Sequence, residues 1–510
     1  MNEAVPRAHL ERFRQIVNGR LGLRFEDDKL PLLSATLLER HAAAGLDVAT
    51  YLARLAAPDE RDELRALAER LTVGETYFFR NGNDLQAFLG AVLPERTRAR
   101  AAERVLRLLS VGCSSGEEPY TLAMLLHDVP RLASWDVAIR GVDVNPAAIR
   151  RATRARYTAW SLRQTSPDLR RRFFHAEHGG FRLVDAIRRR VAFEERNLLD
   201  PDPGLWAPDA YDVVFCRNVL MYLAPEVAAQ VVTRIEGALA PGGFLFLGHA
   251  ETLRGVSTAF HLRHSHGTFY YQRKEGGDAT LDAAQPSWPT VTEAAEEAQD
   301  VHWTDAIRAA SARVAALSAP VEAGPADARP ASREAGGEVR DATWIRVTRA
   351  LDLLRHDRHA EALSALGGAS PEEDTDALLL RAVLLASSGD PGAAERVCAQ
   401  VLERDELNAE AHYVMALCRE HAGDRAAAMD HDRYALYLDP TFAMPRLHLG
   451  LLAKRAGDGR AAARELSAAL TLLAGEDASR ILLLGGGFSR DALVALCRAE
   501  LKAHGDREPR

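Results

Sequence analysis

Residues 108–126, LLSVGCSSGEEPYTLAMLL, join an apolar run to a turn of small residues and then to a helical pattern. A strand that leads through a glycine-containing turn into a helix is typical of nucleotide-binding sheets. The glycines are Gly112 and Gly116, and the helix that follows them begins with Glu117 and Glu118. Like charges a few ångströms apart in a partly dry site repel by on the order of several kcal/mol, so two carboxylates disfavour a diphosphate. The stretch therefore predicts a site for a phosphate-free ligand that carries positive charge.

A further carboxylate supports a nucleoside ligand. GVDVN (141–145) ends a predicted strand with Asp143, where a carboxylate can accept hydrogen bonds from both ribose hydroxyls. S-adenosylmethionine combines a nucleoside with a sulfonium and an ammonium group and has no phosphate. The alternative is that Glu117 and Glu118 only complement the helix dipole, which is worth roughly a few tenths of a kcal/mol. The glycine turn and Asp143 together favour the cofactor site.

Outward from this stretch, strand and helix patterns alternate over residues 83–274, which predicts an α/β Rossmann-like domain with a largely parallel sheet. Residues 1–82 show only helical periodicity and predict an N-terminal all-α domain. The predicted strands are 105–111, 136–144, 190–197, 211–218, 242–250 and 268–273.

The second half of the chain contains a repeat. SSGD (387–390), HAGD (421–424) and RAGD (455–458) recur at the 34-residue spacing of a helical hairpin and resemble tetratricopeptide repeats. We therefore expect a C-terminal α-helical solenoid over residues 341–510, closed by a capping helix whose N-cap is Ser489. Residues 275–340, with twelve acidic and five basic side chains, predict an acidic Ala/Pro/Gly-rich linker.

Composition excludes several classes of protein. Five scattered cysteines without a C-x-x-C pair fit a reducing compartment and argue against a disulfide framework. No run is apolar enough for membrane insertion, and the N-terminal residues lack a signal pattern, so we expect a cytoplasmic protein. No metal is expected, because His261, His264 and His266 have no carboxylate or thiol at a matching spacing.

Six ordered motifs resemble those of the CheR family, the chemoreceptor glutamate O-methyltransferases that use S-adenosylmethionine. The motifs are GETYFFR (74–80), VGCSSGEEPYTLAM (111–124), DVNPAAIRRA (143–152), NLLD (197–200), FCRNVLMYL (215–223) and GGFLFLGHAE (242–251). The resemblance covers residues 1–274, and the repeats resemble those of tetratricopeptide-bearing family members. It implies a class I methyltransferase domain at 83–274 with a small β-subdomain at about 171–193.

The resemblance also implies the roles of site residues. Thr76 and Arg80 would contact the methionyl end of the cofactor, Glu117 its ammonium and Asp143 its ribose. Asn197 and Leu198 would bracket the adenine, one by amide hydrogen bonds and one by packing. Arg217 and Asn218 would lie under the methyl group. Tyr222 and Arg80 are the catalytic candidates, and Tyr222 is the one that would meet the acceptor. The family often has Asn where this chain has Gly74. The complete cofactor-binding set is Gly74, Thr76, Arg80, Gly112, Gly116, Glu117, Asp143, Asn197, Leu198, Arg217 and Asn218.

The implied reaction forms glutamyl methyl esters on acidic helices of methyl-accepting chemoreceptors. A glutamate acceptor has a reference pKa of about 4.3 and is ionised at neutral pH, so it needs no general base. The short hairpin around His178-Gly179-Gly180 predicts that the enzyme does not tether to a receptor's C-terminal pentapeptide. Two basic clusters are candidates for receptor capture or are simply solvated helix faces. They are Arg96, Arg98, Arg100, Arg104 and Arg107, and Arg150, Arg151, Arg154 and Arg156.

Two other functions remain open at this stage. One is a nucleic-acid methyltransferase, although CRNVLMYL replaces the base-binding motif expected after the fourth strand. The other is a repeat scaffold with a vestigial methyltransferase domain. The repeats imply a protein or peptide partner, which is left open between a receptor segment, a response regulator, the chain's own linker and a second copy.

Overall fold

The computed structural model describes residues 5–57, 60–275, 346–347, 349–354, 358–367, 375–486 and 488–505. The chain forms two compact units, residues 1–283 and 284–510. The predicted linker lies outside the described residues except for Glu275, and the degenerate repeat before residue 375 is described only in part. Within the described ranges, no helix is both long and apolar enough to cross a bilayer.

Four short helices begin the first unit, as the apolar stripes predict. They are α1 (Arg7–Leu21), α2 (Leu30–Ala43), α3 (Val48–Leu55) and α4 (Arg61–Leu71). Asp47 caps α3 by accepting the backbone N–H of Thr50 at 3.0 Å. Helix α1 ends at Gly22, whose left-handed φ of 74° allows its N–H to reach Asn18 O.

A seven-stranded sheet forms the centre of the unit. Its strands are β1 (Val105–Val111), β2 (Asp136–Asp143), β6 (Val191–Glu195), β7 (Tyr211–Cys216), β8 (Leu239–Leu247), β9 (Phe260–Ser265) and β10 (Thr268–Arg273). The order β6-β2-β1-β7-β8-β10-β9 is parallel up to β8, and β10 is antiparallel to both its neighbours. The predicted Rossmann-like fold is confirmed, and the parallel strands bring the ends of β1, β2 and β7 to one edge.

Strand β9 was not predicted. Its sequence FHLRHS alternates apolar and polar residues, as an edge strand does, but it contains no β-branched residue and three of its six residues are basic. It pairs with β10 through the two-residue turn His266-Gly267, with φ of 53° and 71°. Such a turn is usually signalled by Asn-Gly. The three histidines considered for a metal belong to this hairpin.

Helices connect the strands and cover both faces of the sheet. They are α5 (Gly82–Ala87), α6 (Leu93–Ala99), α7 (Glu117–His127), α8 (Pro146–Arg154), α9 (Pro167–Phe173), α10 (Asp185–Arg188) and α11 (Pro225–Ala238). A π-helical turn, Phe88–Val92, joins α5 to α6. Arg96 and Arg100 do not form a receptor-capture surface, because both pair with the buried carboxylate of Asp212, at 2.9 and 2.8 Å.

A separate three-stranded sheet corresponds to the small subdomain. It has the order β3-β5-β4 and consists of β3 (Arg156–Tyr157), β4 (Phe174–Glu177) and β5 (Gly180–Leu183). The small sheet thus begins before residue 171, and residues 191–195 belong to the main sheet instead. The hairpin between β4 and β5 has a two-residue turn, His178-Gly179, with φ of 82° at the glycine.

The second unit is a tetratricopeptide solenoid. Its helices are α12 (His359–Leu366), α13 (Thr375–Ser387), α14 (Pro391–Arg404), α15 (Ala409–His421), α16 (Arg425–Leu438), α17 (Ala443–Arg455), α18 (Gly459–Leu473), α19 (Ala478–Leu484) and α20 (Arg490–Gly505). Three hairpins pair α13 with α14, α15 with α16, and α17 with α18.

The repeated Gly-Asp dipeptide explains each hairpin turn. Gly389, Gly423 and Gly457 have φ of 85°, 83° and 78°, a conformation that an L side chain resists. The aspartate that follows each glycine caps the second helix by accepting a backbone N–H three residues later, at 2.9 to 3.0 Å. Ser489 likewise accepts the N–H of Ala492 and caps α20, as predicted.

Candidate active site

The turn after β1 requires glycine at both ends. Gly112 has φ of 64°, and a Cβ there would lie 2.4 Å from Cγ2 of Val219. Gly116 has φ of 89°, and a Cβ there would lie 2.9 Å from both Ala152 and Phe193. Gly112 thus allows the β7 loop to approach the turn, and Gly116 allows helix α8 to approach it.

Asp143 lies at the end of β2 beside this turn. Its carboxylate accepts the backbone N–H groups of Ser114 and Asn145, both at 2.8 Å. These bonds hold the side chain in one position without a cation, and burial raises its pKa.

Two adjoining cavities open along the edge of the sheet. The first, of about 250 Å³, has a mainly polar lining, and the second, of about 200 Å³, has a mainly apolar one. Gly112, Asn218 and Tyr222 line both cavities. The predicted residues in the first cavity are Thr76, Arg80, Gly112, Arg217, Asn218 and Tyr222. Those in the second are Gly112, Asp143, Asn197, Leu198, Asn218 and Tyr222. The structure therefore brings most of the predicted site residues together around the two cavities. Those that line the cavities span 147 positions of the chain, from Thr76 to Tyr222.

Three predicted residues lie next to the cavities without lining them. Gly74 accepts the hydroxyl of Ser114 through its carbonyl at 3.1 Å. Gly116 is the N-cap of α7. Glu117 is buried and accepts a hydrogen bond from the hydroxyl of Ser115 at 2.8 Å.

The two glutamates at the start of α7 have different environments. Glu118 lines the first cavity and accepts hydrogen bonds from Ser110 Oγ at 2.8 Å and Arg217 Nη1 at 3.1 Å. Glu117 has no salt bridge within 4.0 Å among the described residues, and Arg151 is the cation whose charge acts on it from farther away. Burial raises the pKa of both carboxyls. A cation bound nearby would offset the desolvation of Glu117, whereas Glu118 already has Arg217.

Arg217 connects three segments beneath the first cavity. Its Nε lies 3.1 Å from Oδ2 of Asp84, its Nη1 donates to Glu118, and its Nη2 donates to the carbonyl of Arg80 at 3.2 Å. The side chain is almost fully buried. The sequence did not reveal Asp84 as a partner, since it lies 133 positions away on another element.

The loop after β7 is shaped by a carboxylate to which the sequence reading assigned no role. Glu251 accepts the backbone N–H groups of Asn218 at 2.7 Å, Val219 at 2.8 Å and Gly248 at 2.7 Å. Asn218 has a left-handed φ of 57°, which Asn tolerates better than most residues. The only signal in the sequence was that Glu251 ends the last of the six motifs.

Asn197 uses its side-chain amide within the protein. Its Nδ2 donates to the carbonyl of Arg20 at 2.8 Å, and its Oδ1 accepts the N–H of Leu199 at 3.1 Å. The residue thus fastens the end of α1 to the wall of the second cavity.

Comparison with known proteins identifies the family of this chain. The family described as CheR methyltransferase, SAM binding domain, matches residues 74–269. The probable biofilm formation methyltransferase WspC of Pseudomonas putida is 31% identical over 450 residues, which cover 88% of this chain and 95% of that protein. The chain belongs to the CheR methyltransferase family. WspC of Pseudomonas aeruginosa is 29% identical over 465 residues, covering 89% and 96% of the two chains. Chemotaxis protein methyltransferase 2 of Vibrio cholerae is 33% identical over 269 residues, covering 52% of this chain and 93% of that protein.

This CheR methyltransferase uses S-adenosylmethionine as its methyl donor. The two cavities suit the donor in chemistry. The first is mainly polar and has Glu118 in its lining, with Glu117 buried next to it, and the second is mainly apolar with Asp143 in its wall. Across the described ranges, no group of three or more His, Cys, Asp or Glu side chains is arranged to hold a metal ion.

The mouth of the first cavity carries exposed aromatic and apolar side chains. Arg163 stacks between Tyr77 and Trp160, with its guanidinium carbon 3.7 and 4.3 Å from the two ring centres. Met221 and Tyr222 are also exposed, Tyr222 by 37%. The junction of the two cavities is therefore open to a macromolecular acceptor.

Proposed function

We propose that this CheR methyltransferase transfers a methyl group from S-adenosylmethionine to glutamate side chains of chemosensory receptors, and that its tetratricopeptide repeats dock a protein partner. The observation that carries the proposal is the position of Tyr222. Its side chain lines both cavities and is partly exposed, so a glutamate from another protein can reach the junction.

The residues of the first cavity suit the methionyl end of the donor. Thr76 and Arg80 supply a hydroxyl and a guanidinium for its carboxylate. Glu117, buried one turn behind the lining, supplies the negative charge that attracts its ammonium, and Glu118 orients Arg217 instead. This assignment rests on charge balance, because a cation near Glu117 offsets the cost of its burial.

The residues of the second cavity suit the nucleoside. Asp143 is held by two backbone N–H groups and accepts the ribose hydroxyls with its remaining lone pairs. Leu198 supplies an apolar surface for the adenine. Asn197 contributes by positioning that wall, since its side-chain amide is already bonded to Arg20 and Leu199.

The reaction requires alignment more than proton transfer. S-adenosylmethionine, when bound, supplies an electrophilic methyl group. The acceptor carboxylate is ionised at neutral pH and needs no base. Asn218 and Arg217 form the floor beneath the junction, and the Tyr222 hydroxyl donates a hydrogen bond to the acceptor. Catalysis then depends on proximity and on the exclusion of water.

Labelled methyl transfer tests the proposal. Receptor-containing membranes should gain label that alkali releases, because carboxyl methyl esters hydrolyse in base, and receptor Glu→Gln variants at the acceptor positions should gain none. Label stable to alkali, or label found in nucleic acid, would contradict it. Deletion of residues 341–510 should reduce transfer only if the repeats dock a partner. A synthetic receptor C-terminal pentapeptide should not bind, given the two-residue turn at His178-Gly179.

A further inference from the structure

The solenoid contains a segment of its own chain that runs back across its hairpins. After the last repeat, residues 476–484, here called the crossing segment, contact elements from three successive hairpins. Leu483 packs against the apolar cluster that contains Leu380 and Leu384 of α13. Glu476 accepts the backbone N–H of Ala443 at the start of α17 at 2.6 Å. A segment with one short helix can reach three stacked hairpins only by lying along the stack, where tetratricopeptide repeats form their groove.

One arginine anchors the crossing segment. Arg480 Nη2 lies 2.7 Å from Oε1 of Glu410 and 2.9 Å from Oδ2 of Asp439. Its guanidinium carbon lies 4.8 Å from the ring centre of Phe442. The groove thus offers two carboxylates beside an aromatic face, which is a site for a cationic side chain. The aliphatic residues that follow complete the contact, and Ile481 and Leu484 are buried.

The crossing segment has the features of a peptide ligand that is tethered to its own site. Its helix α19 has seven residues, too few to be stable without the groove. Gly475 precedes it, and Gly485 and Gly486 follow it, so that backbone freedom exists at both ends. Helix α20 packs on α18 and closes the solenoid, and Arg490 at its start donates to the carbonyl of Glu476 at 2.6 Å, so the crossing segment is held at its N-terminal end while α19 lies beyond that bond.

We propose that the crossing segment is a built-in occupant of the repeat groove, and that the partner docks by displacing it. The partner is an amphipathic helix of another protein that presents Arg or Lys followed three and four residues later by leucine, the pattern of Arg480, Leu483 and Leu484. This proposal rests on the proposed docking function of the repeats. The partner helix must then compete with the crossing segment for the groove, and the crossing segment has a high effective concentration because it is tethered to the same chain.

The test uses a fluorescent peptide of residues 475–486 and the full chain. The wild-type protein should bind it at least tenfold more weakly than Arg480→Ala/Leu483→Ala, in which the segment has lost its anchor and its apolar contact. Adding Glu410→Lys to that variant should abolish binding. The control Arg446→Ala removes a comparable pair, with Glu465 at 2.7 Å within one hairpin, and should behave as the wild type.

Two results would overturn the proposal. One is equal binding, or none, in the wild-type and released proteins when circular dichroism shows that both are folded. The other is unfolding of the solenoid in Arg480→Ala and in Leu483→Ala separately, since a displaceable segment cannot be required for the fold. The peptide-binding test does not measure methyl transfer. A failure of the receptor methylation assay therefore does not change what peptide binding says about this proposal.

Discussion

Glu251 Oε2 accepts a hydrogen bond from the backbone N–H of Asn218 at 2.7 Å, although 33 residues separate the two along the chain. The same carboxylate accepts the N–H groups of Val219 and Gly248. A carboxylate is suited to several donors because both of its oxygens are acceptors only. Glu251 therefore determines the left-handed conformation of Asn218 and, through it, the position of Tyr222.

Replacing Glu251 with Gln should lower kcat by about tenfold or more, because each carboxylate oxygen accepts two backbone N–H groups and the amide keeps only one acceptor oxygen. Two charge-assisted bonds, each worth roughly 1.5–3 kcal/mol, are therefore lost. The readout for a positioning role is a fall in kcat with a smaller change in the affinity for S-adenosylmethionine. Glu226→Gln, in the exposed first turn of α11, is the control and should leave both values unchanged. An unchanged kcat in Glu251→Gln would contradict the role.

Tyr222→Phe should lower kcat/KM for receptor methylation by about tenfold or more, because it removes one hydrogen bond to a charged acceptor. Donor affinity, measured by calorimetry, should change by less than about twofold, because the ring that lines the cavities remains. Tyr434→Phe in the second unit serves as the control. A normal rate in Tyr222→Phe would show that the hydroxyl does not meet the acceptor.

Glu117→Gln should weaken S-adenosylmethionine binding by about 10- to 100-fold, which corresponds to one lost charge pair of roughly 1.5–3 kcal/mol. The matched control is Glu75→Gln, a mostly exposed carboxylate at the mouth of the first cavity, for which we expect a small change. If Glu75→Gln and Glu117→Gln behave alike, the ammonium is bound elsewhere.

Donor affinity should also fall as the pH is lowered from 7.5 to 5.5. Burial raises the pKa of Glu117, so this carboxyl takes up a proton at a higher pH than an exposed glutamate does. The protonated form loses its attraction for the ammonium, and the decline should be shallower in Glu117→Gln. Calorimetry at several pH values measures the affinity for S-adenosylmethionine. An affinity that does not change with pH would exclude a carboxylate as the partner of the ammonium group.

The second unit should lose stability as the pH rises from 7 to 8.5. His448 is fully buried, with Nδ1 2.7 Å from Oδ2 of Asp432 and Nε2 2.9 Å from Oε2 of Glu420. Burial opposes its charge, but the two carboxylates raise the pKa of His448 to about 9. Its contribution to stability is therefore complete below the unfolded value of about 6.5 and is lost as the pH rises through 9. The slope is on the order of 1.4 kcal/mol per pH unit.

Hydrogen–deuterium exchange of α15 and α17, corrected for the intrinsic rate at each pH, measures this loss. His448→Gln should be less stable at pH 7 by about 3–5 kcal/mol, because it leaves Asp432 buried without its partner, and its slope should be flatter. The exposed His421→Gln is the control and should retain the wild-type slope. A wild-type slope in His448→Gln would mean that another group titrates.

Local patterns in the sequence were sufficient for most of the fold. The strand–turn–helix at 105–127 and the Gly-Asp turns of the repeats depend on neighbouring residues, since periodicity, left-handed glycines and N-caps act within a few positions. Strand β9 was not predicted because its sequence pattern is weak, and its pairing with β10 at the edge of the sheet stabilises it instead. The basic residues around Arg96 were interpreted as a surface cluster or as solvated side chains, and only the tertiary structure shows that Arg96 and Arg100 pair with the buried carboxylate of Asp212.

The sequence by itself determined that glycines, Glu117, Glu118 and Asp143 follow the first two strands of the sheet, because charge and turn chemistry are properties of the residues. Only the tertiary structure decided which glutamate is paired with Arg217, that Glu251 shapes the loop of Asn218, and that residues 476–484 lie along the repeats. Those relationships join groups far apart in the chain, and burial makes each one strong: a carboxylate removed from water must find a donor, wherever the fold supplies it.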